Sequence, residues 1–303
     1  MSEAVAVPFW MGDIDPSQIG FPFPVDRSAY RKQAGIEYKR TADGPLLLDA
    51  YRPADDARHA LVVMIHGGGW ARGGRFAMGL TKWAAYLAAG GLAVVSIDYR
   101  LAPATTYPDS FQDCLDAVDW AVEHAETLGA DPSSVGLWGD SAGGHLVLLL
   151  TTSQTNPAFT GPRLRSGGAR LRAAVAFYPP TDLLALHDAE RLGRAGTRTV
   201  RDFVGVDLDD DPARWREASP IEHVHAGVPP ILLLQGTRDF LVPDSQATRF
   251  AERLAAVGAL HRLEIVDGGV HGFDRVAPGE RARALIADAR SFLTDTLHVS
   301  DRS

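Results

Sequence analysis

Six short apolar runs constrain the fold of this chain more than any other feature: residues 61–65 (LVVMI), 92–97 (LAVVSI), 134–138 (SVGLW), 172–178 (RAAVAFY), 231–235 (ILLLQ) and 262–266 (RLEIV). Runs this short and this apolar predict strands buried on both faces. Between them, apolar residues recur every 3.6 positions. Phe111, Leu115, Val118 and Val122 form one stripe, ending at Gly129; Phe250, Leu254 and Val257 form a second, ending at Gly258. A third stripe, Leu285, Ile286, Ala289, Phe292 and Leu293, lies near the C-terminus. Glycine just past a stripe suits the left-handed backbone that closes a helix. Strand–helix–strand alternation of this kind predicts an α/β protein, a mostly parallel sheet with helices on both faces. Ahead of it, IEYKRT (36–41) and LLLDAY (46–51) flank Ala42-Asp43-Gly44 and predict an antiparallel hairpin at the sheet edge.

With 303 residues, 46% of them hydrophobic, the chain has material for one large core, and residues 1–303 are expected to form a single domain. Residues 1–35 and 181–218 fall outside the alternation and are the expected elements of a small helical cap. The acidic DLDDDPAR within the second is expected to be a solvated loop. Phe9, Trp10 and Met11 fit either a lid folded over a site or an exposed tail.

The formal net charge of −8 argues against nucleic acid or an anionic membrane as partner. The single cysteine, Cys114, excludes an intrachain disulfide and falls on the first stripe, where a packed thiol is expected. The N-terminus lacks a basic start and meets Pro8 and Asp13 too early for a signal peptide, and no run approaches the roughly 18 apolar residues of a membrane span. A cytoplasmic location is the expectation. An edge strand or the last helix leaves a homodimer open.

Two glycine-rich stretches carry the chemistry. In GLWGDSAGGHL (136–146), Gly139-Asp140-Ser141-Ala142-Gly143 stands between a strand and a helical run. A sharp strand-to-helix turn there would lift the Ser141 hydroxyl above the sheet edge, and small neighbours make such a turn possible. The helix start behind it supplies unpaired N–H groups where negative charge would develop. In the second, IHGGGW (65–70), three glycines directly follow a strand and let backbone N–H groups approach a ligand. A phosphate loop is excluded, because no lysine followed by serine or threonine stands at the required spacing.

HGGGW, DYRLAP (98–103) and GDSAGGHL together resemble the hormone-sensitive-lipase-like group of α/β-hydrolase esterases. LLLDAYRP and SPIEHV…PPILLLQG are closer to its relatives among feruloyl and acetyl esterases. The resemblance runs from about residue 36 to 297 and implies the α/β-hydrolase fold with a Ser-acid-His chain order. In that order Ser141 is the nucleophile and Asp239, in ILLLQGTRDFLVP, the acid; Asp244 competes but is expected to open the following helix. The base is His271 in RLEIVDGGVHGF. His261 precedes the last strand and would lie at its wrong end. His145, one helical turn past Ser141, is expected to pack or hydrogen-bond, and His66 to hold the glycine loop. His223 and His225 lack the acidic or thiol partners of a metal site. The resemblance also implies an oxyanion hole from the backbone N–H groups of Gly68 and Gly69, joined by Ala142.

For Asp98, Tyr99 and Arg100 of DYRLAP, the resemblance implies a buried ion pair rather than substrate contact. Asp140 fits two roles, a support near the nucleophile or an acid at a helix start. Trp70 likewise fits a pocket wall or core packing. The expected activity is hydrolysis of short- to medium-chain acyl esters through an acyl-enzyme, with a small-molecule ester as substrate and neither cofactor nor metal. The alternatives are an arylformamidase-like amidase and a carbohydrate or feruloyl ester deacylase. An oligopeptidase lacks its propeller-sized domain here, and a non-catalytic receptor would be expected to lack a triad member.

Overall fold

The computed structural model describes residues 21–156, 169–191, 199–275 and 280–297. All six expected strands and the hairpin are present. In chain order they are β1 (Tyr30–Thr41), β2 (Gly44–Pro53), β3 (His59–Ile65), β4 (Ala93–Ile97), β5 (Ala130–Asp140), β6 (Leu171–Phe177), β7 (Ile231–Gly236) and β8 (His261–Val266). They form one sheet in the order β1-β2-β4-β3-β5-β6-β7-β8. β1, β2 and β4 pair antiparallel, whereas β4, β3 and β5 through β8 pair parallel. The parallel run sends its carboxyl ends to one edge, where ligand sites of open α/β sheets lie.

The described helices are α1 (Leu80–Ala89), α2 (Asp109–Glu123), α3 (Ala142–Ser153), α4 (Leu183–Arg191), α5 (Thr199–Val204), α6 (Pro212–Glu217), α7 (Ser245–Ala256) and α8 (Glu280–Thr296). Side chains alternate across the sheet as the pleat requires. Leu61, Val63 and Ile65 of β3 face a core shared with α2, α3 and α7; Val62 and Met64 face the other, shared with α1 and α8. The three expected stripes are α2, α7 and α8. α1 had no stripe to announce it because seven of its ten residues are buried, leaving almost no polar face. Cys114 is fully buried in α2, and that burial pushes its thiol well above the ordinary range.

The expected cap elements behave differently. Residues 181–218 contain the short helices α4, α5 and α6, and Val200, Phe203 and Trp215 are buried against the first core. Within DLDDDPAR, Asp207, Asp209 and Asp210 are exposed, as expected, while Asp211 caps α6 by accepting from Arg214 N at 3.0 Å. The described part of the first element lies elsewhere. Residues 30–35 belong to β1, which extends six residues beyond the expected hairpin arm, and Phe21 and Phe23 pack against Trp83 and Tyr86 of α1. Phe9, Trp10 and Met11 lie outside the described residues. No described helix is long and apolar enough to cross a membrane.

Leu233 is fully buried in the centre of β7. Leu233→Ala is expected to cost about 2–5 kcal/mol through lost burial and the cavity left behind. Urea unfolding checks this: the midpoint should fall at an unchanged denaturant slope.

Candidate active site

Ser141 is the single residue between β5 and α3, with φ 52° and ψ −122°. A non-glycine residue at positive φ stores strain of about 1–3 kcal/mol, so its surroundings must hold it there. They do so by hydrogen bonds and by contact. Ser141 N donates to Phe177 O at 2.8 Å, and His145 N donates to Ser141 O at 2.9 Å. Gly143 is tightly confined, since a Cβ there would collide with the Ile65 carbonyl at the end of β3.

The hydroxyl presented by this turn meets the expected histidine. Ser141 Oγ lies 2.9 Å from His271 Nε2, and His271 Nδ1 lies 2.7 Å from Asp239 Oδ2. His271 comes from the loop after β8 and Asp239 from the loop after β7, so three strands deliver the three side chains. The carboxylate is strongly fixed: Oδ1 accepts from Leu241 N and Val242 N at 2.9 and 2.8 Å, and Oδ2 from Gln235 Nε2 at 3.3 Å. An acceptor at Nδ1 places the imidazole proton there and leaves Nε2 to accept from the serine. Asp244 instead immediately precedes α7, as expected, although its side chain makes no capping bond.

The glycine loop sits beside the serine. Gly68 and Gly69 have φ of 121° and 60°, and a side chain at Gly68 would strike the Arg72 carbonyl. Among the described residues their N–H groups donate to no protein acceptor. Ala142 opens α3, where the first N–H groups have no partner within the helix. Ala142 thus adjoins Ser141 directly, while Gly68 and Gly69 follow Gly67, whose N–H donates to Asp140 on the other side of the serine.

The remaining candidates resolve into supports. Asp140 Oδ1 accepts from Gly67 N at 3.2 Å, which ties the glycine loop to the nucleophile turn. Trp70 is 2% exposed; it stacks on Phe203 with ring centres 4.7 Å apart, so core packing accounts for most of its surface. Its Nε1 donates to His145 Nδ1 at 3.2 Å, and His145 Nε2 lies 2.7 Å from Ala218 O. His145 thus packs and hydrogen-bonds, as expected, joining loop, α3 and the segment after α6. Burial drives its pKa down to about 4. His66 is also fully buried; it stacks on Tyr99 and is pushed to a lower pKa by that burial. Asp98 and Arg100 each enter an ion pair with a residue outside DYRLAP: Asp98 pairs with Arg75 at 2.6 Å and Arg100 with the buried Asp113 at 2.8 Å. His261 lies at the start of β8, as expected. His223 and His225 bond instead to Glu217 O and Thr155 Oγ1.

Tyr178 escaped the sequence. It follows β6 at φ 37°, and its ring centre is 4.5 Å from that of His271. Only its place at a carboxyl strand end, level with Ser141 and Asp239, could have singled it out.

This sheet, with a serine, a histidine and an aspartate converging above its carboxyl edge, is that of an α/β-hydrolase. Residues 48–254 match the BD-FAE family. The esterase LipC of Mycobacterium tuberculosis is 31% identical over 302 residues, which cover 94% of this chain and 74% of LipC. Mouse hormone-sensitive lipase is 36% identical over 154 residues, half of this chain and 19% of that protein. A truncated carbohydrate esterase from gut microbiota, 24% identical, superposes with a TM-score of 0.75 over 90% of this chain and 98% of that one. The chain belongs to the BD-FAE family, among α/β-hydrolase esterases related to hormone-sensitive lipase, and its class is that of carboxylic ester hydrolases.

The neutral His145 gives a pH dependence. In the unfolded chain it takes up a proton near its ordinary value of 6.5, and in the folded chain only near 4. Its contribution is therefore complete above about pH 6.5 and is lost as pH falls toward 4, by about 3 kcal/mol in all. Thermal unfolding between pH 7 and 4.5 checks this: His145→Gln should be less stable at pH 7 but should lose less on acidification than the wild type. Equal losses would contradict it.

Proposed function

We propose that the chain hydrolyses short- to medium-chain acyl esters by nucleophilic catalysis at Ser141. The observation that carries this is the unbroken chain from Ser141 Oγ through His271 to Asp239, at 2.9 and 2.7 Å. His271 Nε2 removes the hydroxyl proton as Oγ attacks the ester carbonyl. Asp239 holds the ring in the tautomer that can accept and stabilises the imidazolium that forms. The oxyanion is met by the N–H groups of Gly68, Gly69 and Ala142, each such donor being worth on the order of 10²–10³ in rate. His271 then protonates the departing alcohol, and water, deprotonated by the same nitrogen, releases the acid from the acyl-enzyme. Every step is a proton or acyl transfer among these residues, substrate and water. The Trp70–Phe203 stack beside the glycine loop favours small substrates, because two rings already fill the space there.

A p-nitrophenyl ester series from acetyl to dodecanoyl tests this on the wild type and on Ser141→Ala. Turnover should peak at roughly two to eight acyl carbons, and the variant should lose on the order of 10³-fold or more. A wild type inert on every ester but active on the matching anilides would overturn the ester reading in favour of an amidase.

A further inference from the structure

The loop that carries His271 continues Gly272-Phe273-Asp274-Arg275, and it turns inward. Arg275 N donates to Gly272 O at 2.9 Å, and the Arg275 side chain is 7% exposed as a residue despite its charge. It enters a pocket of carboxylates: Nη2 lies 3.0 Å from Asp140 Oδ2 and Nε 3.3 Å from Asp274 Oδ2. Both partners are almost wholly buried. Burial by itself would weaken the guanidinium's hold on its proton, but Asp140 and Asp274 raise that hold above its ordinary value, so the group is charged. A buried cation of this kind is costly unless paired, and here one cation serves two anions.

What matters is where those anions sit. Asp140 immediately precedes Ser141, and its other oxygen holds Gly67 N, immediately before the expected oxyanion glycines. Asp274 accepts from the Tyr178 hydroxyl at 2.7 Å and from Trp83 Nε1 at 3.0 Å, and the Tyr178 ring packs against His271. One ion pair is thus attached to the nucleophile turn, the glycine loop and the histidine loop at once.

We propose that Arg275 is a positioning residue: its pairing with Asp140 and Asp274 sets the His271 imidazole and the Gly68–Gly69 donors relative to Ser141. The proposal rests on the triad assignment above. Arg275 touches no substrate, so loosening it leaves ground-state binding intact. Its effect falls on the transition state, where base and oxyanion donors must be aligned together. A purely stabilising ion pair would alter the unfolding midpoint and leave the kinetics of the folded enzyme unchanged.

Arg275→Met alone leaves two buried carboxylates without a cation and risks misfolding, so the test uses Arg275→Lys, Asp140→Asn and the two combined. Lysine keeps the charge but has a single nitrogen to span both carboxylates. Steady-state p-nitrophenyl ester kinetics and Ser141 labelling by an organophosphonate are measured on each, with unfolding midpoints to confirm a folded enzyme. Arg275→Lys should lower kcat about 10–100-fold with KM within about threefold, and slow labelling in parallel. The combined variant should be no worse than the more damaged single one, since both act through one pair. Unchanged kcat and labelling in folded Arg275→Lys, a change in KM alone, or multiplying effects would each overturn the proposal. A wild type that neither turns over esters nor labels at Ser141 would remove the triad assignment, and this inference with it.

Discussion

The backbone of Ser141, held at φ 52° and ψ −122° between β5 and α3, is the constraint on which the site depends. No serine adopts that conformation without compensation. Here the strand below it is buried on both faces, α3 above it is buried along its whole length, and Gly143 brings that helix against the end of β3. The same close approach brings the glycine loop after β3 beside the hydroxyl. Strain at one residue is thus sustained by a large apolar core, and the result is a half-buried nucleophile at the start of a helix whose first N–H groups have no partner within it.

Sheet topology supplies the rest. Because β5, β6, β7 and β8 are adjacent and parallel, Ser141, Tyr178, Asp239 and His271 all follow strand ends on one edge, though they are spread over more than a hundred residues. Each loop then needs only a few local bonds to aim its side chain. The Asp239 carboxylate is fixed by two N–H groups of its own turn and by Gln235, so it requires nothing from distant parts of the chain. His271 is the exception: its loop is held from other strands, by the ring of Tyr178 after β6 and by Asp140 of β5, which pairs with Arg275 of the same loop.

That distinction explains how much could be read in the sequence. Strands such as LVVMI and ILLLQ declare themselves because a doubly buried strand is a continuous apolar run. Ser141, Asp239 and His271 stand in recognisable loops after their own strands. α1 was invisible because a helix buried nearly all round has no amphipathic period. β1 was underestimated because its first residues, Tyr30 to Gly35, are largely polar and partly exposed at the sheet edge. The partners of Asp98, Arg100, Asp140 and His145 were equally hidden. Arg75, Asp113, Arg275, Trp70 and Ala218 lie on other elements, and linear spacing says nothing of a contact made only when the sheet closes its layers.

The central claim is that Ser141 becomes acylated during turnover. The most direct measurement is to quench the enzyme within the first turnovers of a p-nitrophenyl ester and map the acyl group by peptide mass spectrometry. The account predicts a stoichiometric acyl group on the peptide carrying Ser141, absent when His271 is replaced by alanine. Turnover with no covalent acyl group, or with one elsewhere in the chain, would contradict it.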